Sequence, residues 1–223
     1  LTSDGNGGVI NGTFDWVYEE EFGCRDGFRW NATGSCIAFW QLDASDTRNF
    51  YMINNTDSVY SRVIPIQYPM VGQPPSACRV GIVKTGDRKV IWIPVPGNPK
   101  ENYIPRMQWV SDNELLIQQL NRLQNHLTLY VYTVSTGALR TIYEETEKTW
   151  VDISYPDVTA DGWEMEDLLT ADHGKAVLRM TETDGWRHLI RISLATGEKV
   201  LLTPGNYDVA RTYAVNDKVV YFS

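Results

Sequence analysis

An apolar anchor, a tight polar turn and a short β-prone run recur in that order four times along this chain. The copies are Phe28-Arg29-Trp30-Asn31-Ala32-Thr33-Gly34, Met107-Gln108-Trp109-Val110-Ser111-Asp112-Asn113, Asp167-Leu168-Leu169-Thr170-Ala171-Asp172-His173-Gly174 and Thr212-Tyr213-Ala214-Val215-Asn216-Asp217. A repeated strand unit that cannot cover its own apolar faces must stack on its neighbours, which restricts the chain to a propeller or a related array. The anchors lie 79 residues apart from Trp30 to Trp109, 60 from Trp109 to Leu169 and 44 from Leu169 to Tyr213. Only the last interval matches a plain propeller blade of about 40 to 45 residues. The first unit must therefore carry insertions, expected at Asn55 to Ser76 and around the acidic run at Glu19 to Glu21.

The strand signals fill in the units. Runs rich in β-branched and aromatic residues span Cys36 to Leu42, Phe50 to Asn54, Arg79 to Val83, Val90 to Val95 and Glu114 to Leu120. They continue at Leu127 to Val134, Ala176 to Met180, His188 to Ile192 and Lys199 to Leu202, each bounded by Gly, Asp, Asn or Pro. A second repeat, Val134-Ser135-Thr136-Gly137 and Leu194-Ala195-Thr196-Gly197, marks the hairpin between third and fourth strands of a unit. Leu1-Thr2-Ser3-Asp4-Gly5 resembles Leu202-Thr203-Pro204-Gly205 as a unit ending. Long helical periodicity is absent, with a single helical turn expected at Glu19 to Phe22. The fold class is all-β: a partial β-propeller arc of about three four-stranded antiparallel blades plus part of a fourth. Residues 1–223 are read as a fragment of one propeller domain. Its uncovered blade faces and strand edges invite dimerisation.

Composition narrows the function classes. With 43% hydrophobic and 12% aromatic residues over 223 positions, a packed core is expected. A formal net charge of -8 repels nucleic acid and anionic membrane, and favours a cationic ligand. The three cysteines, Cys24, Cys36 and Cys78, cannot all pair and lack zinc-ligand spacing. A Cys24–Cys36 bridge across neighbouring strands and a set of buried thiols are both compatible with the sequence. No apolar run reaches the ~20 residues that span a bilayer. The start, without Met or a targeting segment, reads as a piece cut from a longer protein.

Asp15-Trp16-Val17-Tyr18-Glu19-Glu20-Glu21-Phe22 carries the strongest chemical signal. Adjacent like charges normally stay in water, so a solvated acidic face is the bland reading. Phe14, Trp16, Tyr18 and Phe22 favour burial, and are expected to draw part of the Glu run toward a cleft wall, where a cationic partner would stabilise it. The string closely resembles the double-glutamate motif of the dipeptidyl peptidase IV family of prolyl oligopeptidase-type serine peptidases. Three further segments resemble that family in order: Tyr68-Pro69 through Gly72 to Val83, Leu120-Asn121-Arg122-Leu123-Gln124-Asn125, and Asp184-Gly185-Trp186-Arg187-His188-Leu189.

The resemblance implies that Glu20 and Glu21 bind the free α-ammonium of a peptide substrate, with Glu19 and Tyr18 in support. Three ammonium donors suit two carboxylates. It also implies a catalytic triad on a separate C-terminal hydrolase domain, a secreted, periplasmic or cell-surface location, and a homodimeric parent. The partners expected are a peptide with a free N-terminus and that hydrolase domain, with no nucleic acid, metal or cofactor. The residues agree that the triad lies elsewhere. Gly-x-Ser-x-Gly does not occur, and His126, His173 and His188 sit at turns or strand edges without a nucleophile nearby in sequence. Arg122, Gln124 and Asn125, like Trp186, Arg187 and His188, are read as turn and packing groups; Trp109, Trp150 and Trp163 are read as core or interblade aromatics. Two rivals remain: a binding propeller whose parent has lost catalysis, and a scaffold for protein partners in which the acidic run is a rim.

Overall fold

The computed structural model describes residues 1–153, 168–215 and 219–223. In the first blade, β1 (Val9–Asn11) and β2 (Phe28–Trp30) both pair with β3 (Cys36–Asp43). A helix, α1 (Trp16–Phe22), lies between β1 and β2. An outlying hairpin of β4 (Asn49–Asn54) and β5 (Arg62–Gln67) follows, and β6 (Ala77–Lys84) and β7 (Val90–Trp92) then complete the sheet. The second blade is β8 (Asn102–Ser111), β9 (Glu114–Asn121), β10 (His126–Thr133) and β11 (Ala138–Thr146), paired antiparallel in chain order. The third is β12 (Leu169–Ala171), β13 (Ala176–Thr181), β14 (His188–Ser193) and β15 (Lys199–Leu201), and β16 (Thr212–Val215) with β17 (Val220–Phe222) opens a fourth.

The anchors of the repeat fall at equivalent places. Trp30 ends β2, Trp109 lies in β8, Leu169 in β12 and Tyr213 in β16, each within an edge strand of its sheet. The turns after Trp30 and Trp109 meet, with Asp112 Oδ1 accepting from the backbone N–H of Thr33 at 2.9 Å and the Asp112 carbonyl accepting from Asn31 Nδ2 at 3.2 Å. Trp109 Nε1 donates to the Arg29 carbonyl at 2.9 Å, so the second blade is tied to the first through an anchor. Trp30 itself is exposed, which makes the repeat a mark of position more than of core burial.

Stacking explains the composition of the central strands. β9 and β10 are buried at every interior position, because neighbouring blades cover both faces. Leu115, Leu116, Ile117 and Leu120 therefore form a run of inward side chains with no outward face. The β4–β5 hairpin is the opposite case: Tyr51, Ile53, Tyr60 and Val63 stay in solvent on a ribbon that no described blade covers. It begins within the first blade ahead of the insertion expected at Asn55 to Ser76, and β5 lies inside that interval.

Blades two and three share a buried ion pair. Arg179 Nε on β13 donates to Glu145 Oε2 on β11 at 3.0 Å, with the two side chains 0% and 2% exposed. Thr181 Oγ1 and Tyr143 OH also donate to Glu145, and Arg179 Nη2 donates to the Asp152 carbonyl, so the charges are hydrogen-bonded as well as paired. Burial, with Glu145 next in weight, pushes the Tyr143 hydroxyl up to about 12. Gly197, in the hairpin of the second repeat, presses on this seam. A Cβ there would lie 2.6 Å from the Ile142 carbonyl oxygen, and its φ of +74° favours glycine independently.

Candidate functional site

The acidic helix is an excursion out of the middle of a strand. β1 ends with Asn11 opposite Gln41, and β2 begins with Phe28 opposite Phe39. At the neck, Gly12 N donates to the Trp40 carbonyl and Trp40 N to the Gly27 carbonyl, both at 3.0 Å, so the ladder continues across the gap. Gly27 closes that neck. A Cβ on it would meet the Gly12 carbonyl carbon at 2.4 Å, so only glycine allows the two backbones to touch.

A seven-residue helix has too few hydrogen bonds to stand alone, and α1 is fixed at both ends. Asp15 is its N-cap: Oδ1 accepts from Tyr18 N at 3.0 Å, and Oδ2 accepts from Ser76 Oγ at 2.6 Å. Gly23 ends it in the left-handed conformation at φ 62°. Phe14, Tyr18 and Phe22, spaced by four, share the buried face; Phe14 and Tyr18 stack at 5.6 Å, and Tyr18 and Phe22 meet edge-on at 5.4 Å.

A β-bulge in the second blade supplies the polar half of the socket. The β8–β9 register slips between Tyr103 and Arg106, releasing backbone groups that must bond elsewhere. Ile104 N donates to Tyr18 Oη at 3.0 Å, and the Ile104 carbonyl accepts from Trp40 Nε1 at 2.8 Å. The Pro105 carbonyl accepts from Cys24 Sγ, and Arg106 Nη1 donates to the Phe22 carbonyl at 2.9 Å, a cation at the helix C-terminus. Burial first, then Cys78, raises the Tyr18 hydroxyl well above its usual range; burial pushes Cys78 up to about 12 and Cys24 to about 11. The phenol and thiols of the socket therefore keep their protons, and all three cysteines are free and buried, with no Cys24–Cys36 bridge.

Helical geometry turns successive side chains by about 100°, so with Tyr18 inward Glu19 and Glu20 point away from the socket while Glu21 flanks its edge. Glu19, Glu20 and Glu21 are all exposed, so none is buried as the aromatic flank suggested, and of the three Glu21 alone lies on a cleft wall. Trp16 also departs from that expectation. It lies off the Phe14-Tyr18-Phe22 face, is 42% exposed, and packs edge-on against Tyr68 at 4.3 Å. Glu21 turns back toward the second blade, where its Oε1 accepts from Gln124 Nε2 at 2.6 Å. No described lysine or arginine forms an ion pair with any of the three glutamates.

Glu21 borders a cavity of about 440 Å³ shared with Arg122, Gln124, Trp150 and Asp152. Arg122 is occupied elsewhere: Nη2 donates to the Gln73 carbonyl at 2.7 Å, and Nη1 lies 3.8 Å from Glu101. Trp150, expected as a core or interblade aromatic, lines this cavity at 65% exposure; the adjacent Val151 is buried, its N–H bonded to the Gln124 carbonyl. Asn125 does serve the turn, as its side chain and backbone bond Asn121. Gln124 was legible only as part of that turn, and its contact with Glu21 spans 103 positions of sequence. Trp163 lies outside the described residues.

The histidines are structural in placement. His188 Nδ1 bonds Asp184 at 2.8 Å, and its Nε2 is buried without a hydrogen-bond partner among the described residues, so no hydroxyl completes a triad there. His126 bonds Thr146, and His173 sits in the turn after β12. Among the described residues no cluster of His, Cys, Asp and Glu is placed to hold a metal, and no helix is long and apolar enough to cross a membrane.

Residues 1–223 match the family model of the dipeptidyl peptidase IV (DPP IV) N-terminal region. Among curated proteins the chain is 26% identical to a probable dipeptidyl peptidase 4 of Emericella nidulans and 28% identical to the inactive dipeptidyl peptidase 10 of Rattus norvegicus. Each alignment covers all of this chain, which spans 30% and 29% of the length of those relatives. The crystal structure of Porphyromonas gingivalis dipeptidyl peptidase 4 superposes with a TM-score of 0.84 at 29% identity, covering 96% of this chain and 29% of that one. A putative dipeptidyl aminopeptidase IV from Bacteroides ovatus, 23% identical with a TM-score of 0.79, has the same fold over 99% of this chain and 32% of its own. A helix carrying three exposed glutamates, looped out of a propeller strand and socketed against the next blade, is thus set in a chain that belongs to the family of the dipeptidyl peptidase IV N-terminal region.

Proposed function

We propose that this chain is the substrate-recognition propeller of a serine exopeptidase that removes N-terminal dipeptides, preferentially after proline or alanine. Glu20 and Glu21 hold the α-ammonium of the substrate, and Glu19 and the buried Tyr18 support them. One observation carries the reading: a buried aromatic and hydrogen-bonded socket holds α1 while its glutamates stay exposed without a cationic partner among the described residues. Carboxylates kept unpaired on a fixed helix are suited to receive a cation. The chemistry itself is assigned to a C-terminal hydrolase domain of the longer protein, and the location to the periplasm, the cell surface or the exterior. Homodimerisation of that protein is part of the proposal, supported by the exposed apolar residues of the β4–β5 hairpin.

The intact protein should release a dipeptide from a peptide beginning Ala-Pro and leave its N-acetylated counterpart whole, as read by mass spectrometry. Release from both peptides would reject an ammonium-gated exopeptidase. A second reading, a propeller that binds free N-termini without cleavage, is favoured by the similarity to the inactive rat relative. It predicts binding of the free peptide and release from neither.

A further inference from the structure

We propose that Gln124 is a positioning residue for the ammonium anchor, orienting Glu21 with a neutral donor that leaves its charge uncompensated. The inference rests on the reading of Glu21 given above. Gln124 Nε2 donates to Glu21 Oε1 at 2.6 Å, so one carboxylate oxygen is fixed and the other is left to a ligand. Its backbone is held in the left-handed region at φ 55°, where an ordinary side chain is uncommon. The surrounding turn enforces this: Gln124 N donates to the Asn121 carbonyl at 2.8 Å, Asn121 Oδ1 accepts from the backbone N–H of Asn125 and His126, and the Gln124 carbonyl accepts from Val151 N at 2.7 Å. A turn fixed by four hydrogen bonds presents one amide to a helix inserted in the neighbouring blade.

The identity of the donor matters. A lysine or arginine in this place would neutralise Glu21 and compete with an incoming ammonium. The nearby cation, Arg122, is instead directed to the Gln73 carbonyl and toward Glu101. An amide fixes direction without that competition, and a hydrogen bond to a charged group contributes more than one between neutral groups.

The test is a double-mutant cycle on the intact protein, read as the dissociation constant for alanyl-pyrrolidide, which carries a free ammonium and has no second peptide bond to cleave. Gln124→Asn withdraws the amide by one methylene while asparagine tolerates the left-handed backbone. It should weaken binding roughly ten-fold, the lower end for a hydrogen bond to a charged group, without moving the thermal unfolding midpoint. Gln124→Lys should weaken it at least as much as Glu21→Gln. In the Glu21→Gln background, Gln124→Asn should change affinity by less than about two-fold, because positioning has nothing left to position. Full, additive loss in that background, or no loss from Gln124→Asn where Glu21→Gln alone is damaging, overturns the positioning role and leaves the anchor standing. An undamaged Glu21→Gln protein overturns the anchor and the positioning role with it.

Discussion

The two seams between the first three blades are built from opposite materials. At the first, Phe14, Tyr18 and Phe22 meet a bulge in β8 whose freed backbone groups bond a phenol, an indole and a thiol, while the charges of α1 stay outside. At the second, Arg179 and Glu145 are buried against each other with Thr181 and Tyr143 closing the shell. Charges that satisfy each other hold blades together and are closed to ligands. Charges left outside the seam remain open to a ligand, and their helix is held by shape, by hydrogen bonds and by the Arg106 cation at its C-terminus.

Breaking the second seam should have the largest effect. Glu145→Ala leaves Arg179 buried without its countercharge, and loss of one member of such a pair costs about 3 to 5 kcal/mol; a fall of that size in urea-unfolding free energy is expected. Replacing both by Leu and Met should recover most of it, and a double variant as weak as the single one would contradict the account. At the first seam, Phe22→Ala should cost about 3 to 5 kcal/mol as an emptied core position and should also weaken ligand binding, which Glu145→Ala should not.

Alkali tests the thiols of the first seam. Folded Cys24 and Cys78 hold their protons to about 11 and about 12, against 9.0 for an ordinary thiol. A raised acid stabilises the fold fully below the unfolded value and loses that contribution as pH rises toward the folded one. The unfolding midpoint should therefore be flat from pH 6 to 8 and fall above about 9, with a shallower fall in a Cys24→Ala/Cys78→Ala variant; equal slopes would remove the thiols from the explanation. The smallest effect belongs to the cap: Asp15→Ala should cost about 1 kcal/mol, seen as a modest drop in unfolding midpoint.

The blades were legible because their middle strands are apolar runs, as in Glu114–Asn121 and His126–Thr133, and because turn glycines recur at fixed places. β11 was expected only as the strand following the Val134–Gly137 hairpin, and its own residues carry no strand pattern for a physical reason. A register shift opposite Leu129 and Tyr130 puts neighbouring Ile142 and Tyr143 both inward, erasing the alternation that marks a strand. The helix runs to two turns where one was expected, since Asp15 caps a turn earlier than the acidic run suggests. Glu20 and Glu21 were singled out by their motif, but their exposure beside the Phe14-Tyr18-Phe22 face appears only in the fold, and Gln124 enters through a contact between blades that local sequence does not encode.

Substituting Glu20→Gln and Glu21→Gln separately in the intact protein, and measuring kcat/KM for a peptide with a free amino terminus beside its N-acetylated form, tests the central claim most directly. Each variant keeps the shape of the site and removes one charge. Losing one hydrogen bond to a charged group costs about 1.5 to 3 kcal/mol, about 10-fold or more in kcat/KM, and this loss should fall on the free peptide alone. Changes below about 1 kcal/mol that shrink with added salt, or the same loss for both peptides, would contradict the assignment of these glutamates as the ammonium anchor.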